Sequence, residues 1–142
     1  MVGATPSLSR LLLEAHRALD GEIEAGLLDR GIGGLSPGQA ATLLMVERTG
    51  IRLVDLAAKA GVSKQAMMQA VDGLQGLGFV RRTADPSDGR AKAVRLTARG
   101  MRARAEARRA IAAVESRARR RLGDRRHEGL RAALEELASE EA

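Results

Sequence analysis

The residues best placed to do chemistry lie between Ser63 and Gln69. Met67, Ala70, Val71 and Leu74 recur at the i, i+3, i+4, i+7 spacing of one buried helical face, which leaves Lys64, Gln65, Met68 and Gln69 on the opposite side. That outer face is polar and thin, and it suits the major groove of duplex DNA. There a glutamine can bond bidentately to adenine, and an apolar group can touch the thymine methyl. Gln65, Gln69, Ala66 and Met68 therefore point to A·T-containing half-sites, each good pair contributing roughly 1–3 kcal/mol of discrimination. Ser63 and Lys64 stand at the helix start, where backbone N–H groups and the helix dipole favour a phosphate; they position more than they specify. A second basic group, Arg90 with Lys92 and Arg95 behind it, has the chemistry for a narrow minor groove and its flanking phosphates. Outside a helix-turn-helix the glutamines would read as solvated helix surface, and Arg90 as a brace for its turn.

The neighbouring elements decide between those readings. Leu53, Leu56, Ala57 and Ala60 share one face of a short helix, and Gly61-Val62-Ser63 supplies a tight turn whose serine can cap the next helix. After a stop at Leu77-Gly78, Phe79 to Thr83 and Ala91 to Leu96 are β-compatible runs around a turn-rich Ala84 to Arg90. Two short helices followed by a hairpin form a winged helix-turn-helix pattern spanning Ile51 to Thr97. Upstream, Ser36-Pro37-Gly38-Gln39 matches a capping box, which predicts a helix from Pro37 to about Arg48, with Ile51 to Leu53 as a short strand.

Both ends of the chain read as long helices. Leu8, Leu11, Leu12, Ala15, Leu19, Ile23 and Leu27 form a stripe within a helix from Pro6 to Arg30, too long for a small core alone. Thr97 caps a helix to about Leu122 that carries Met101, Ala105, Ile111, Val114, Ala118 and Leu122, and a last helix from Arg125 to Ala138 aligns Leu130, Ala133, Leu134 and Leu137. Met45, Met67 and Met101 read as core fillers. The run Arg117, Arg119, Arg120, Arg121, Arg125 and Arg126 reads as a solvated helix end, partly explained by favourable charge at a helix C-terminus.

Composition bounds the rest. In 142 residues, 24 Lys and Arg against 18 Asp and Glu leave a net charge of +6, the balance of a protein that meets polyanions, although an arginine- and alanine-rich bias can arise without selection for binding. Phe79 is the sole aromatic residue, so stacking of single-stranded bases on aromatic platforms is excluded and duplex DNA is favoured. There is no cysteine, hence no disulfide, thiolate ligand or thiol sensor. His16 and His127 make a poor metal set, and neither metal nor cofactor is expected. No phosphate loop, carboxylate pair or activated nucleophile appears, so catalysis is not expected. No apolar run approaches the roughly 20 residues of a membrane helix, and no signal sequence is visible, so a soluble cytoplasmic protein is expected.

From about Leu35 to Gly100 the chain resembles the MarR (multiple antibiotic resistance regulator) family. The resemblance rests on Leu35-Ser36, Asp55-Leu56-Ala57, Gly61-Val62-Ser63, Val71-Asp72, the segment LQGLGFV from Leu74 to Val80, and the wing DPSDGRA ending in Leu96-Thr97 with Gly100. It implies a homodimeric repressor or activator whose first and last helices form the dimer interface, with small molecules bound between those helices and the DNA-binding lobes. Carried over by position, it implies DNA-facing roles for Ser63, Lys64, Gln65, Ala66, Met68 and Gln69, a minor-groove role for Arg90, and a wing-supporting role for Asp88. Ala66 and Gln69 depart from the threonine and arginine common there. In similar proteins the first helix lines the ligand region, which draws attention to His16.

The expected architecture is mainly α (α+β): a dimerisation helix in residues 1–34, a winged helix-turn-helix in 35–97, and dimerisation helices in 98–142. Leu8, Leu12, Leu19, Ile111, Leu130, Leu134 and Leu137 are the expected dimer contacts. The expected partners are a second copy of the chain, a pseudo-palindromic duplex and a small-molecule effector, with no membrane. The rival readings are an architectural DNA-binding protein and a winged helix used for protein–protein contact. A pocket lined by aliphatic residues and arginines points to an anionic or aliphatic effector.

Overall fold

The computed structural model describes residues 3–85 and 88–139, the side chains of 88–91 excepted. Its elements run α1 (Leu8–Asp29), α2 (Pro37–Met45), β1 (Ile51–Arg52), α3 (Leu53–Ala60), α4 (Lys64–Gly76), β2 (Val80–Asp85), β3 (Asp88–Leu96), α5 (Ala98–Leu122) and α6 (Asp124–Ala138). Hydroxyl caps set four of the helix starts. Ser7, Ser36, Ser63 and Thr97 accept from the backbone N–H of Arg10, Gln39, Ala66 and Gly100 at 3.2, 3.1, 3.1 and 2.9 Å. At Ser36 the box is complete, because Gln39 Oε1 accepts from the Ser36 N–H at 2.9 Å and Pro37 follows the cap. These bonds satisfy N–H groups that have no partner within the helix.

The three strands form an antiparallel sheet in the order β1-β3-β2, with Ile51 opposite Val94 and Val80 opposite Leu96. Its inner residues join α2, α3 and α4 in one core, where Leu43, Leu56, Met67, Val71, Leu74, Val80 and Val94 are fully buried. Leu27 of α1 and Ala103, Ala107 and Ala110 of α5 belong to the same cluster. Among the described residues no helix is long and apolar enough to cross a membrane.

Several expected boundaries move. The second helix ends at Met45 rather than Arg48, because Val46 leaves the helix for an extended conformation (φ −80°, ψ 114°) and is itself fully buried. Leu53 starts α3 instead of ending β1. Most of the expected turn from Ala84 to Arg90 is strand. Pairing continues from Ala84 opposite Lys92 to Asp85 opposite Asp88 across a break in register, while Pro86 and Ser87 lie outside the described residues.

The largest correction concerns α5. Its buried face is Gly100, Ala103, Ala107, Ala110 and Val114, whereas the expected stripe positions Met101 and Ala105 are exposed. Met101 is thus not a core filler in this chain. The reason is steric. The buried face meets two neighbours, the Phe79 backbone packed directly on Gly100 and helix α1 at Ala110, where a Cβ on Gly26 would lie in contact at 3.4 Å. On α1 itself Leu27 alone is buried, and α6 buries no residue, so the other leucines of both stripes face outward.

Candidate nucleic-acid interface

The reading head is built by the joint between α3 and α4. Gly61 closes α3 at φ 68°, a left-handed conformation that costs glycine little, and the Val62 N–H returns to the Ala57 carbonyl at 3.1 Å. This turn brings Ser63 to the cap position, from which α4 runs with Met67, Val71 and Leu74 fully buried. Ser63, Lys64, Gln65, Ala66, Met68 and Gln69 are all exposed along one side of α4, so the sequence-derived set is displayed together. Ser63 is partly committed. Its oxygen accepts the Ala66 N–H, which leaves the hydroxyl hydrogen to donate outward. Half-exposed Met68 sits among the polar residues of this face, where a flexible thioether can adapt to a groove.

A residue absent from the sequence-derived set locks this helix to the wing. Arg82, on β2, reaches Asp72 Oδ1 at 2.6 Å, donates to Gln75 Oε1 at 3.2 Å and to the Met68 carbonyl at 3.2 Å. One guanidinium, three-quarters buried, therefore fixes both the rotation of α4 and its distance from the hairpin. The signal was present in the sequence only as one arginine among many. Its partners lie seven to fourteen residues away, beyond any local pattern.

One tie of the wing is described. Asp88 and Arg90 lie in the β3 backbone, but their side chains are outside the described residues. The brace that is described is Asp85, buried at the end of β2, whose Oδ2 lies 3.0 Å from Arg52 Nε and ties the hairpin to β1. Lys92 is exposed towards the outer part of the hairpin, opposite Ala84. Arg95 is not brought to the same place: it pairs opposite Arg81 near the root of the wing and is partly covered beside Gly50, where a Cβ would come within 3.0 Å of its Cγ.

The root itself is close-fitting. The Phe79 carbonyl accepts the Thr97 N–H at 3.1 Å, the Thr97 hydroxyl donates to the Gly78 carbonyl at 2.6 Å, and Gly100 packs directly on the Phe79 carbonyl. Above it the Arg99 guanidinium lies 5.2 Å from the Phe79 ring centre.

The arginine-rich end of α5 braces helices. Arg117 meets Glu22 of α1 at 3.2 Å, Arg119 meets Asp124 at 2.8 Å, and Arg126 donates to the Leu122 carbonyl at 2.8 Å. The hydrogen bond from Arg119, reinforced by its charge, holds the Asp124 carboxyl below its ordinary pKa and raises that of the arginine. An apolar groove of about 260 Å³ opens between α1, α5 and α6, lined by Leu19, Ile111, Leu130 and Leu134 among others. His127 lines it too, 3.5 Å from Glu115, whereas His16 pairs with Asp20 at 3.2 Å on the exposed face of α1 and does not reach the groove.

With this geometry in hand, known proteins are informative. The family model for the MarR family matches residues 33–91, which contain the reading head and most of the wing. Among solved structures, the transcriptional repressor CouR bound to a 23-mer DNA duplex is 25% identical, with 94% of this chain and 93% of that one covered and a TM-score of 0.80. A probable transcriptional regulator from Pseudomonas aeruginosa is 26% identical over 92% and 96% of the two chains, with a TM-score of 0.78. CouR from Rhodococcus jostii RHA1 bound to p-coumaroyl-CoA, at 24% identity, 96% and 94% coverage and a TM-score of 0.74, has the same fold. Among curated proteins nothing matches the chain. The matched segment and the shared architecture of the whole chain lead to one conclusion: residues 33–91 carry a winged helix-turn-helix of the MarR-family type, and the chain as a whole has the fold of MarR-family transcriptional regulators.

Proposed function

We propose that the chain is a homodimeric repressor of a pseudo-palindromic operator, released by a small ligand. The observation that carries the reading is the outward face of α4, where Lys64, Gln65, Met68 and Gln69 are exposed on a helix clamped by the Ser63 cap and the Arg82 bridge. In this reading those residues with Ser63 and Ala66 enter the major groove, Gln65 and Gln69 choosing the sequence. Arg90 and Lys92 follow the minor groove, and Arg95 adds charge at the wing root.

Dimerisation is supported by apolar surface that one chain leaves uncovered. Leu8, Leu12 and Leu19 on α1 and Leu130, Leu134 and Leu137 on α6 are all exposed, and the 260 Å³ groove between the helices continues that surface. Ile111, half-buried on the wall of the groove, completes the set. Two chains joined there would carry their recognition helices to successive major grooves, about 34–36 Å apart. Binding, not catalysis, is then the activity, exercised in the cytoplasm. CouR, which is seen with duplex DNA and with an acyl-CoA, supports both the DNA partner and the existence of an effector.

A mobility-shift titration against the DNA upstream of the chain's own gene tests the proposal. Arg90→Ala should weaken binding to most sequences, whereas Gln69→Ala should relax preference at one base pair. Equal binding to every duplex at physiological salt would make the protein architectural. Absence of any salt-dependent duplex binding would favour a protein-contact module. Candidate effectors added to the same titration should release the duplex, and insensitivity to all of them removes the sensing part of the proposal.

A further inference from the structure

A second cavity, of about 500 Å³, lies between the end of α1, the start of α5 and the root of the wing. Arg30, Arg99, Arg102 and Arg109 line it over an apolar floor that includes Phe79 and Ile32. Glu106, the one lining carboxylate among the described residues, is paired with Arg109. Arg30, Arg99 and Arg102 make no ion pair with a carboxylate among the described residues. Three solvent-exposed guanidinium groups therefore line one open concavity with no carboxylate partner among the described residues.

The backbone adds to the imbalance. Helix α5 starts at Ala98 with no acidic residue in its first turn, and Arg99 and Arg102 stand in its opening turns. A helix N-terminus carries about half a positive charge, so these arginines are at the pole that disfavours them. The opposing end of α1 offers little relief. Its last carbonyls, at Gly26, Leu27 and Leu28, already accept the N–H groups of Arg30, Gly31 and Ile32 at 3.0–3.2 Å. Arg99 is meanwhile seated on the Phe79 ring, which orients its planar fork. The cavity is also separate from the α2–α5 junction, since Arg104, on the far side of α5, turns to the Leu44 carbonyl at 3.4 Å.

We propose that this cavity binds a small phosphorylated anion of the pyrophosphate type. Guanidinium forks match phosphate oxygens bidentately, and several converging forks match a multiply charged group better than a single carboxylate. The volume leaves room for an apolar portion against Phe79 and Ile32. Because Phe79, part of the floor, also carries the carbonyl joint that fastens the wing to α5, an occupant would bear on the wing's seating. Only that consequence for DNA rests on the regulator reading; the binding itself does not.

The test is calorimetric titration of the full-length chain with inorganic pyrophosphate, alongside a duplex-binding titration without it. One saturable site per chain is expected. Arg99→Gln with Arg102→Gln should weaken pyrophosphate at least tenfold, as should Arg30→Gln with Arg102→Gln, which leaves the Phe79 contact intact. Arg120→Gln with Arg121→Gln removes equal charge from an exposed part of α5 and should leave the affinity unchanged. Absence of saturation, or equal weakening in all three pairs, overturns the site. So does a selective loss of duplex affinity in the cavity variants when pyrophosphate does not bind, which would make these arginines contacts to the DNA backbone. Pyrophosphate binding by a chain that binds no duplex would uphold the site and refute the regulator reading instead.

Discussion

Replacing Gly100 with alanine sets two measurable effects against each other. Alanine favours a helix interior by about 1 kcal/mol over glycine. At Gly100, however, the new Cβ would overlap the Phe79 carbonyl, lying 2.7 Å from its carbon and 3.2 Å from Phe79 Cα. Both obstacles are backbone, fixed by the Thr97 N–H on one side and the core packing of Phe79 on the other, so no rotamer change relieves them. Overpacking of this kind costs typically 1–3 kcal/mol, and the upper end applies where backbone must move. The net loss should be about 2 kcal/mol, or roughly 8 °C in Tm at about 4 °C per kcal/mol for a chain of this size. Gly21, exposed within α1 with nothing within 4 Å of its would-be Cβ, is the internal control, and Gly21→Ala should gain about 0.5–1 kcal/mol. Thermal unfolding followed by circular dichroism, at one fixed protein concentration because dimers make Tm concentration-dependent, reads both. A Gly100→Ala variant as stable as the parent would refute the close-approach account of the wing root.

Other consequences follow from the same geometry. Arg82→Ala should reduce operator affinity about tenfold by freeing α4 from the wing. Asp72→Ala should do so less, and the double variant should fall short of the sum in a fluorescence-anisotropy titration; strict additivity would show that the two residues act separately. Leu12→Asp with Leu134→Asp should convert dimers to monomers in analytical ultracentrifugation while the helical circular dichroism persists, and an unchanged sedimentation coefficient would place the interface elsewhere. Arg119 depresses the Asp124 pKa, so that carboxylate's contribution is present above its ordinary value of 3.8 and is lost as pH falls through the lower folded value. Asp124→Asn should therefore lower stability slightly at pH 7 and flatten the acid limb of the stability curve; an unaltered acid limb would contradict the ion pair's role.

The parts of the fold legible in the sequence are those encoded locally. Ser36, Ser63 and Thr97 each announce a helix three residues ahead of the N–H they cap, and the period of Met67, Val71 and Leu74 fixes which side of α4 looks outward. The phase of α5 was not legible, because a hydrophobic pattern weighs Met101 above Gly100 and cannot know that the Phe79 backbone will pack directly on Gly100 while α1 packs on Ala110. Close approach reverses that order, burying glycine and alanines and leaving the methionine outside. The two ties of the wing, Arg82 to Asp72 and Arg52 to Asp85, were hidden for a different reason. In a chain with 24 basic residues, nothing local distinguishes the arginine that will meet a carboxylate on another element.

Phe79 is the chain's single aromatic residue, and it lies buried beneath Arg99 where the wing enters α5. The protein is consequently almost transparent in the near ultraviolet, and whatever aromatic signal it gives originates at one joint. A single fluorinated phenylalanine would yield one resonance without mutating any other position. That resonance would report the seating of the wing directly, separately from α4 and from the helices at the chain ends.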